Sequence, residues 1–394
     1  MSKSKNGNGH AGSGVFGSPD RVLVKRALAE FRSNRPVTFS QGGRFLIALP
    51  VDGLDAARLH ALEHLVAPAT PKLVVTKRRA RTLGIETDHS VTLALPKLGG
   101  AEAILSLVED ANSDEHVELA GPADVNAVAA IELAKIAQRL PALLIAEIDS
   151  PASALTEPPL IVVPADAVMK FGRGDIHSLE IVSEANVPLA GGISTRFVVF
   201  RDSIGGGSAA VIVGKPDLSK TVPVRLHSAC LTGDVFGSSR CDCGDQLKLA
   251  TKRLNEEGGG IILYLEQEGR GLGLANKMRA YALQDEGLDT VDANTTLGFD
   301  DDERDYGIAA RMLQKLGCTR VYLMTNNPAK LDGLTDLGID VVGRVPLHAP
   351  INAHNRRYMT AKAMRAGHKL DHLIATLAEA GDVQGIARAA EEVR

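Results

Sequence analysis

Short apolar runs separated by helical stretches set the rhythm of the first half of the chain. Residues 45–51, 72–75, 91–95, 143–148 and 160–163 have the length and composition of strands, whereas 54–66 and 123–140 carry apolar residues at helical spacing. From about Pro19 to Val187 this alternation predicts an α/β unit without an obvious chemical site. Residues 188–193, with Gly191 next to Gly192, read as a linker into a second α/β block that opens with a strand at 197–200. In that block, the buried-type strand 261–265 runs directly into the charged, glycine-rich loop 266–274, and strand ends of this kind are where sites collect. Helices are predicted over 276–286, closed by Gly287, and over 305–316, where Ile308, Met312 and Leu316 share a face and Gly317 is the stop. The acidic run 300–303 would complement the dipole at the start of the second of these helices. A strand at 321–324 then ends in Thr325-Asn326-Asn327-Pro328.

Length agrees with more than one domain, since 394 residues at about 150 per domain gives two to three. The expected division is a disordered tail over 1–18, an α/β domain over 19–190, a second α/β domain over 191–370 and a helical extension over 371–394. The tail has no apolar core and so does not read as a signal peptide. The longest apolar runs fall far short of the roughly 20 residues that cross a bilayer. A soluble, cytoplasmic protein with no membrane partner is the expectation. The formal charge of −4 gives no global attraction to nucleic acid, and the absence of Trp removes the best stacking surfaces for single strands.

The chemistry concentrates around the cysteines. Three of the four form the pattern Cys230-x10-Cys241-x-Cys243, and in a cytosolic chain such a cluster points to metal or catalysis rather than disulfides. Three thiolates can hold Zn²⁺ and leave one tetrahedral position for water, whose pKa the metal can bring down to about 7. A buried thiol cluster, or a closed structural site with His227 as fourth ligand, are the blander readings. Cys318 follows a helix stop and reads as core. Arg225, Arg270, Lys277, Arg279, Arg304 and Lys330 gather near the trio in sequence and would suit a polyphosphate, although each alone is an ordinary surface cation. Neither the dinucleotide-binding glycine spacing nor a phosphate loop is present. Asp302 and Arg304 stand two apart beside a helix start, where helix capping is the competing explanation. Tyr281 shares a helical face with Lys277, and packing is its simplest role. His60-Ala-Leu-Glu63-His64 matches an inverted zinc-peptidase pattern, but it lies in an apolar helix without a third ligand and reads as helix surface.

From Val222 to about Leu370 the chain resembles GTP cyclohydrolase II, the enzyme that opens riboflavin synthesis. The resemblance rests on His227-Ser-Ala-Cys-Leu-Thr-Gly-Asp, Arg240-Cys-Asp-Cys-Gly, Glu268-Gly-Arg-Gly, Arg279-Ala-Tyr-Ala-Leu-Gln-Asp, Asp302-Glu-Arg-Asp and Leu323-Met-Thr-Asn-Asn-Pro, in that order. It implies a three-layer α/β/α domain with a mixed sheet that converts GTP to 2,5-diamino-6-ribosylamino-4(3H)-pyrimidinone 5′-phosphate, formate and pyrophosphate. It further implies Cys230, Cys241 and Cys243 as ligands of one catalytic Zn²⁺ per subunit, Asp302 as proton acceptor, and Arg304 as the group that attacks the α-phosphorus, for which electrostatic stabilisation is an equally good physical reading because Arg is a poor nucleophile. Tyr281 would assist near the guanine. GTP-binding positions fall on Arg225, Leu226, His227, Ser228, Ala229, Gln246, Glu268, Gly269, Arg270, Thr290, Thr325 and Lys330, with Mg²⁺ on the pyrophosphate. A homodimer is implied as well.

Two departures stand out. Many members have Glu where this chain has Ala229, and the N-terminal half occupies the place of a dihydroxybutanone phosphate synthase. That enzyme needs acidic Mg²⁺ ligands just after its first strand, whereas residues 36–50 contain no Asp or Glu, so a degenerate, noncatalytic domain is expected. A cyclohydrolase II-like protein of uracil catabolism is the alternative function, disfavoured by the Asp302–Arg304 segment and Lys330. A zinc-stabilised nucleic-acid-binding module fits neither the charge nor a three-ligand site.

Overall fold

The computed structural model describes residues 17–350 except 96–99, 114–116, 151–155, 175–178, 203, 328 and 348, together with Asn355. The expected helical extension over 371–394 and nearly all of the expected N-terminal tail lie outside the described residues. The chain forms two compact units, one made by the chain up to Val108 and by Ser113–Arg173, the other by Glu109–Asn112 and the chain from Gly174 onward.

The first unit contains α1 (Pro19–Arg32), β1 (Val37–Gln41), β2 (Arg44–Pro50), α2 (Ala56–Val66), β3 (Lys72–Val75), α3 (Lys77–Thr82), β4 (Val91–Ala94), α4 (Gly100–Glu109), β5 (Leu119–Pro122), α5 (Val125–Ile136), β6 (Ala142–Ile148), β7 (Val162–Pro164) and α6 (Ala165–Gly174). Its seven strands lie in the order β5-β4-β3-β6-β2-β1-β7. All neighbours are antiparallel except the pair β1 and β7. Helix α1 buries Val24, Ala27, Leu28 and Phe31, the 3–4 spacing of a single stripe. Asp124 caps α5 by accepting from Ala127 N at 2.8 Å, and the alanines of α5 let it sit close on the sheet. β1 and β2 are joined by Gly42 and Gly43, both at positive φ, the conformation that a two-residue hairpin turn requires.

The second unit contains β8 (Glu180–Asn186), β9 (Thr195–Arg201), β10 (Ala209–Gly214), β11 (Val222–Ser228), α7 (Cys243–Glu256), β12 (Gly259–Leu265), α8 (Leu274–Asp285), α9 (Thr290–Thr296), α10 (Gly307–Lys315), β13 (Arg320–Met324), α11 (Ala329–Thr335) and β14 (Asp340–Val345). The sheet order is β14-β13-β11-β12-β10-β9-β8. Strands β14, β13, β11 and β12 are parallel, and β12, β10, β9 and β8 are antiparallel. One face packs Val222, Val224 and Leu226 against Ala309, Met312 and Leu313 of α10, and the other packs Val213 and Ile262 against Leu254 of α7. Both units are therefore α/β with mixed sheets, and the second has helices on both faces, as the sequence reading expects. Cys318 is fully buried in the first of these cores, where burial pushes its thiol up to about 11.

β8 pairs with β9 across the segment read as a linker, so the second sheet begins before residue 188. Every residue of β8 is exposed, which leaves no apolar alternation to mark it as a strand. The acidic run 300–303 also differs from its expected role. Asp301 bonds Arg270, Asp302 bonds Arg304, and Glu303 accepts from Asp300 N, while Asp305 takes the α10 amide of Gly307 at 2.7 Å. No described helix is long and apolar enough to cross a membrane.

Candidate active site

Strands β12 and β13 flank β11 on opposite sides, and their crossovers run over opposite faces of the sheet. Open α/β sheets bind ligands at such a switch point, outside the carboxyl ends of the strands. A cleft lies at that position. Its lining comprises Arg225, His227 and Ser228 of β11, Cys230 just beyond it, and Cys241, Cys243 and Gln246 at the start of α7. Glu268, Gly269 and Arg270 follow β12, Lys277 and Tyr281 lie on α8, and Arg304 precedes α10. Thr325, Asn326 and Asn327 follow β13, and Lys330 lies on α11.

The Sγ atoms of Cys230, Cys241 and Cys243 lie within 4.8 Å of one another, with 3.7 Å between those of Cys230 and Cys241. A Cβ on Gly233 would stand 2.8 Å from the Cys241 sulfur and 3.2 Å from that of Cys230, so only glycine lets the backbone form the floor of this cluster. Hydrogen bonds from the Cys241 and Cys243 thiols, then from Lys277, hold the Cys230 thiol far below its usual range. Its bond to Cys230 raises the Cys241 thiol. Lys277 Nζ lies 3.1 Å from the Cys230 sulfur, 2.9 Å from Thr232 Oγ1 and 2.7 Å from Glu268 Oε1. Burial opposes the Lys277 charge, but its bonds to Glu268 and Cys230 outweigh it and keep the ammonium form. Three converging sulfurs, beside the Lys277 ammonium, fit a thiophilic metal such as zinc with a fourth position open.

Behind the cysteines, His227 stacks on Tyr264, and both rings bond the Asp234 carboxylate. Burial lowers the His227 pKa, which keeps the imidazole neutral. The other side of the cleft is cationic. Arg225 donates to the Met324 carbonyl at 3.0 Å and to Gln246 Oε1, and burial lowers its pKa to about 10. Lys330 Nζ donates to the Leu226 carbonyl at 3.0 Å. Arg270 takes the left-handed conformation, φ 62°, which is strained for a side-chain-bearing residue. Its bond to Asp301 at 2.7 Å and the Glu303 amide on its carbonyl hold it there. Arg304 bonds Asp302 through Nε at 2.7 Å and also through Nη2, and Tyr306 OH donates to the same carboxylate at 3.2 Å. Burial opposes the Asp302 charge, but the Arg304 guanidinium more than offsets this, so its pKa stays below the usual carboxylate value. The Tyr281 ring is flanked by the Arg240 guanidinium, 4.4 Å from its centroid, and by Lys277 Nζ at 5.7 Å.

The GTP cyclohydrolase II family profile matches residues 180–346. A protein named GTP cyclohydrolase-2 from Azospirillum brasilense is 41% identical over 359 residues, covering 88% of this chain and 93% of the relative. The chain belongs to the GTP cyclohydrolase II family. A shorter GTP cyclohydrolase-2 from Azotobacter vinelandii is 48% identical over 196 residues, which is 50% of this chain and 94% of that protein. The riboflavin biosynthesis protein RibBA of Parabacteroides distasonis is 36% identical over 322 residues, 72% of this chain and 78% of its own length. As a member of this family the protein is a hydrolytic enzyme.

For a GTP cyclohydrolase II family member, most sequence-singled residues converge on one cleft. Leu226, Ala229, Thr290 and Asp302 are not among the residues lining it, nor is Arg279 of the expected cations, which donates to Asn276 Oδ1 at 2.8 Å. Leu226 packs into the core and contributes its carbonyl to Lys330, and the Ala229 amide bonds the Leu265 carbonyl at 2.8 Å. Thr290 opens α9, and Asp302 meets the cleft through Arg304. Among the described residues the cysteine trio is the only group of three or more His, Cys, Asp or Glu side chains whose ligand atoms lie close enough together to hold one metal ion. His60 and Glu63 lie exposed on α2, 3.9 Å apart, as the surface reading expects. Asp234, Asn326 and Asn327 lie inside motifs that the sequence presents, but nothing local assigns them a role. Asn326 straps the loop after β13 to Leu347 through two bonds of 2.7 and 3.0 Å, a pairing 21 residues apart that no local pattern announces.

Proposed function

We propose that the protein hydrolyses GTP to 2,5-diamino-6-ribosylamino-4(3H)-pyrimidinone 5′-phosphate, formate and pyrophosphate, in riboflavin biosynthesis. The observation that carries this reading is the meeting of three cysteine sulfurs and a set of buried cations in one cleft at the parallel strand ends. Cys230, Cys241 and Cys243 would hold zinc, which supplies a Lewis acid with an open position for water when bound. Arg225, Arg270, Arg304 and Lys330 bind the triphosphate, with Mg²⁺ accompanying the pyrophosphate as part of the substrate. Tyr281, with the Arg240 guanidinium 4.4 Å from its ring centroid, packs against the guanine.

Asp302 accepts a proton, and its depressed pKa keeps it ionised at neutral pH. Arg304 stabilises charge as the phosphate bond breaks. A guanidinium that donates twice to a carboxylate has no free electron pair to offer, which favours this electrostatic role over nucleophilic attack. The retained Asp302–Arg304 pair and Lys330 support GTP over the nucleotide of uracil catabolism. No catalysis is assigned to the N-terminal unit, whose β1–β2 hairpin carries no carboxylate. The resemblance extends the proposal to a cytoplasmic homodimer. Purified protein incubated with GTP, Zn²⁺ and Mg²⁺ should release formate and pyrophosphate in equal amounts. Absence of formate under those conditions refutes the reading.

A further inference from the structure

Asp234 lies four residues past Cys230 in the turn Leu231–Val235, and its side chain is 4% exposed. Both of its carboxylate oxygens are 3.1 Å from His227 Nε2. Oδ2 also accepts the Tyr264 hydroxyl at 2.9 Å and the Cys230 backbone N–H at 3.0 Å. The Asp234 amide in turn donates to the Cys230 carbonyl at 2.7 Å. One carboxylate thus joins the end of β11, the end of β12 and the first cysteine of the trio. A carboxylate only accepts, so the ring proton of neutral His227 sits on Nε2, and Nδ1, which has no protein partner, is left as an acceptor.

We infer that Asp234 is a positioning residue that fixes Cys230 for metal binding. It makes no contact with the sulfur, and it acts by clamping both backbone groups of Cys230 to the rigid strand ends through His227 and Tyr264. Without that clamp, the turn Leu231–Val235 has no other described side-chain tie from the sheet to the Cys230 amide. Outer partners of this kind hold a ligand in the geometry that the metal needs, and their loss typically costs 10–100-fold in metal affinity. Asparagine has nearly the same shape, but it places an N–H₂ donor where a carboxylate oxygen accepts, so either one of the three donors around Asp234 is left unpaired or the His227 proton moves to Nδ1, where it has no protein partner.

The inference rests on the reading that the cysteine trio binds metal, and one titration separates the two. Zinc affinity of the full chain is measured by competition with a chelator, and the Co²⁺-substituted protein gives the ligand-field spectrum of the site. Asp234→Asn should bind zinc about 10–100-fold more weakly than the parent and should shift the Co²⁺ bands. Tyr264→Phe removes a single donor and should shift both readouts in the same direction by less. If Asp234→Asn does not fold, Tyr264→Phe decides the matter alone. A folded Asp234→Asn or Tyr264→Phe protein with the parent's zinc affinity and the parent's Co²⁺ spectrum overturns the inference. A parent protein that binds no zinc overturns the metal reading and this inference with it.

Discussion

Both units are built on a seven-stranded mixed sheet, yet among the described residues the converging thiols and cations lie in only one. In the first unit parallel pairing is confined to β1 and the three-residue β7. A shallow cleft does lie at their carboxyl ends, lined by Ser40, Gln41, Gly42, Gly43, Phe45 and Asp166. Its one carboxylate is held by Lys170 at 2.6 Å. In the second unit four strands run parallel, and the loops after β11, β12 and β13 deliver thiols, cations and amides to a common point. The position of a cleft therefore follows from topology, and its chemistry follows from what the loops carry.

The comparison can be broken most sharply at the sulfurs. Cys241→Ser should abolish formate release and zinc retention together, and full activity in that variant would refute the ligand assignment. A smaller loss is expected from Asp302→Asn, which removes a proton acceptor. A fall in kcat of about 10²–10⁴-fold with a lesser change in KM is the predicted result of steady-state kinetics. The Asp302–Arg304 pair has a pH signature as well. Because the folded pKa of Asp302 lies below its unfolded value, the pair stabilises the fold above that unfolded value, and the contribution fades as pH falls through the folded pKa. Acid titration of unfolding should show that loss in the parent and not in Asp302→Asn. The least effect on turnover is expected from the other unit. Leu73 of β3 is fully buried, so Leu73→Ala should destabilise its unit by about 2–5 kcal/mol while formate release by the folded protein stays at the parent level. Turnover of ribulose 5-phosphate by the parent protein would contradict the expected silence of that unit.

How far the fold was legible depended on which residues each element spends on chemistry. The continuous apolar run of β12 marks that strand to within two residues, and the run at 72–75 gives the bounds of β3. β11 escaped notice because alternate positions hold Arg225 and His227, which face the cleft while Val224 and Leu226 face the core. Its period-2 pattern is intact, but functional side chains replace the apolar signal on one face. The cysteines and the Asp302–Arg304 pair were legible because their spacing is local. The tie from Asp234, a residue of the His227 motif, to Tyr264 was not, since the two lie 30 residues apart and only the parallel pairing of β11 with β12 brings them near.

The most direct test is a zinc titration of metal-free protein with GTP in excess. Formate release should be absent at the start, should rise linearly with added zinc and should level off at one zinc per chain. Formate release by the metal-free protein, or none at any zinc level, would contradict the assignment of the chemistry to the cleft of the second unit.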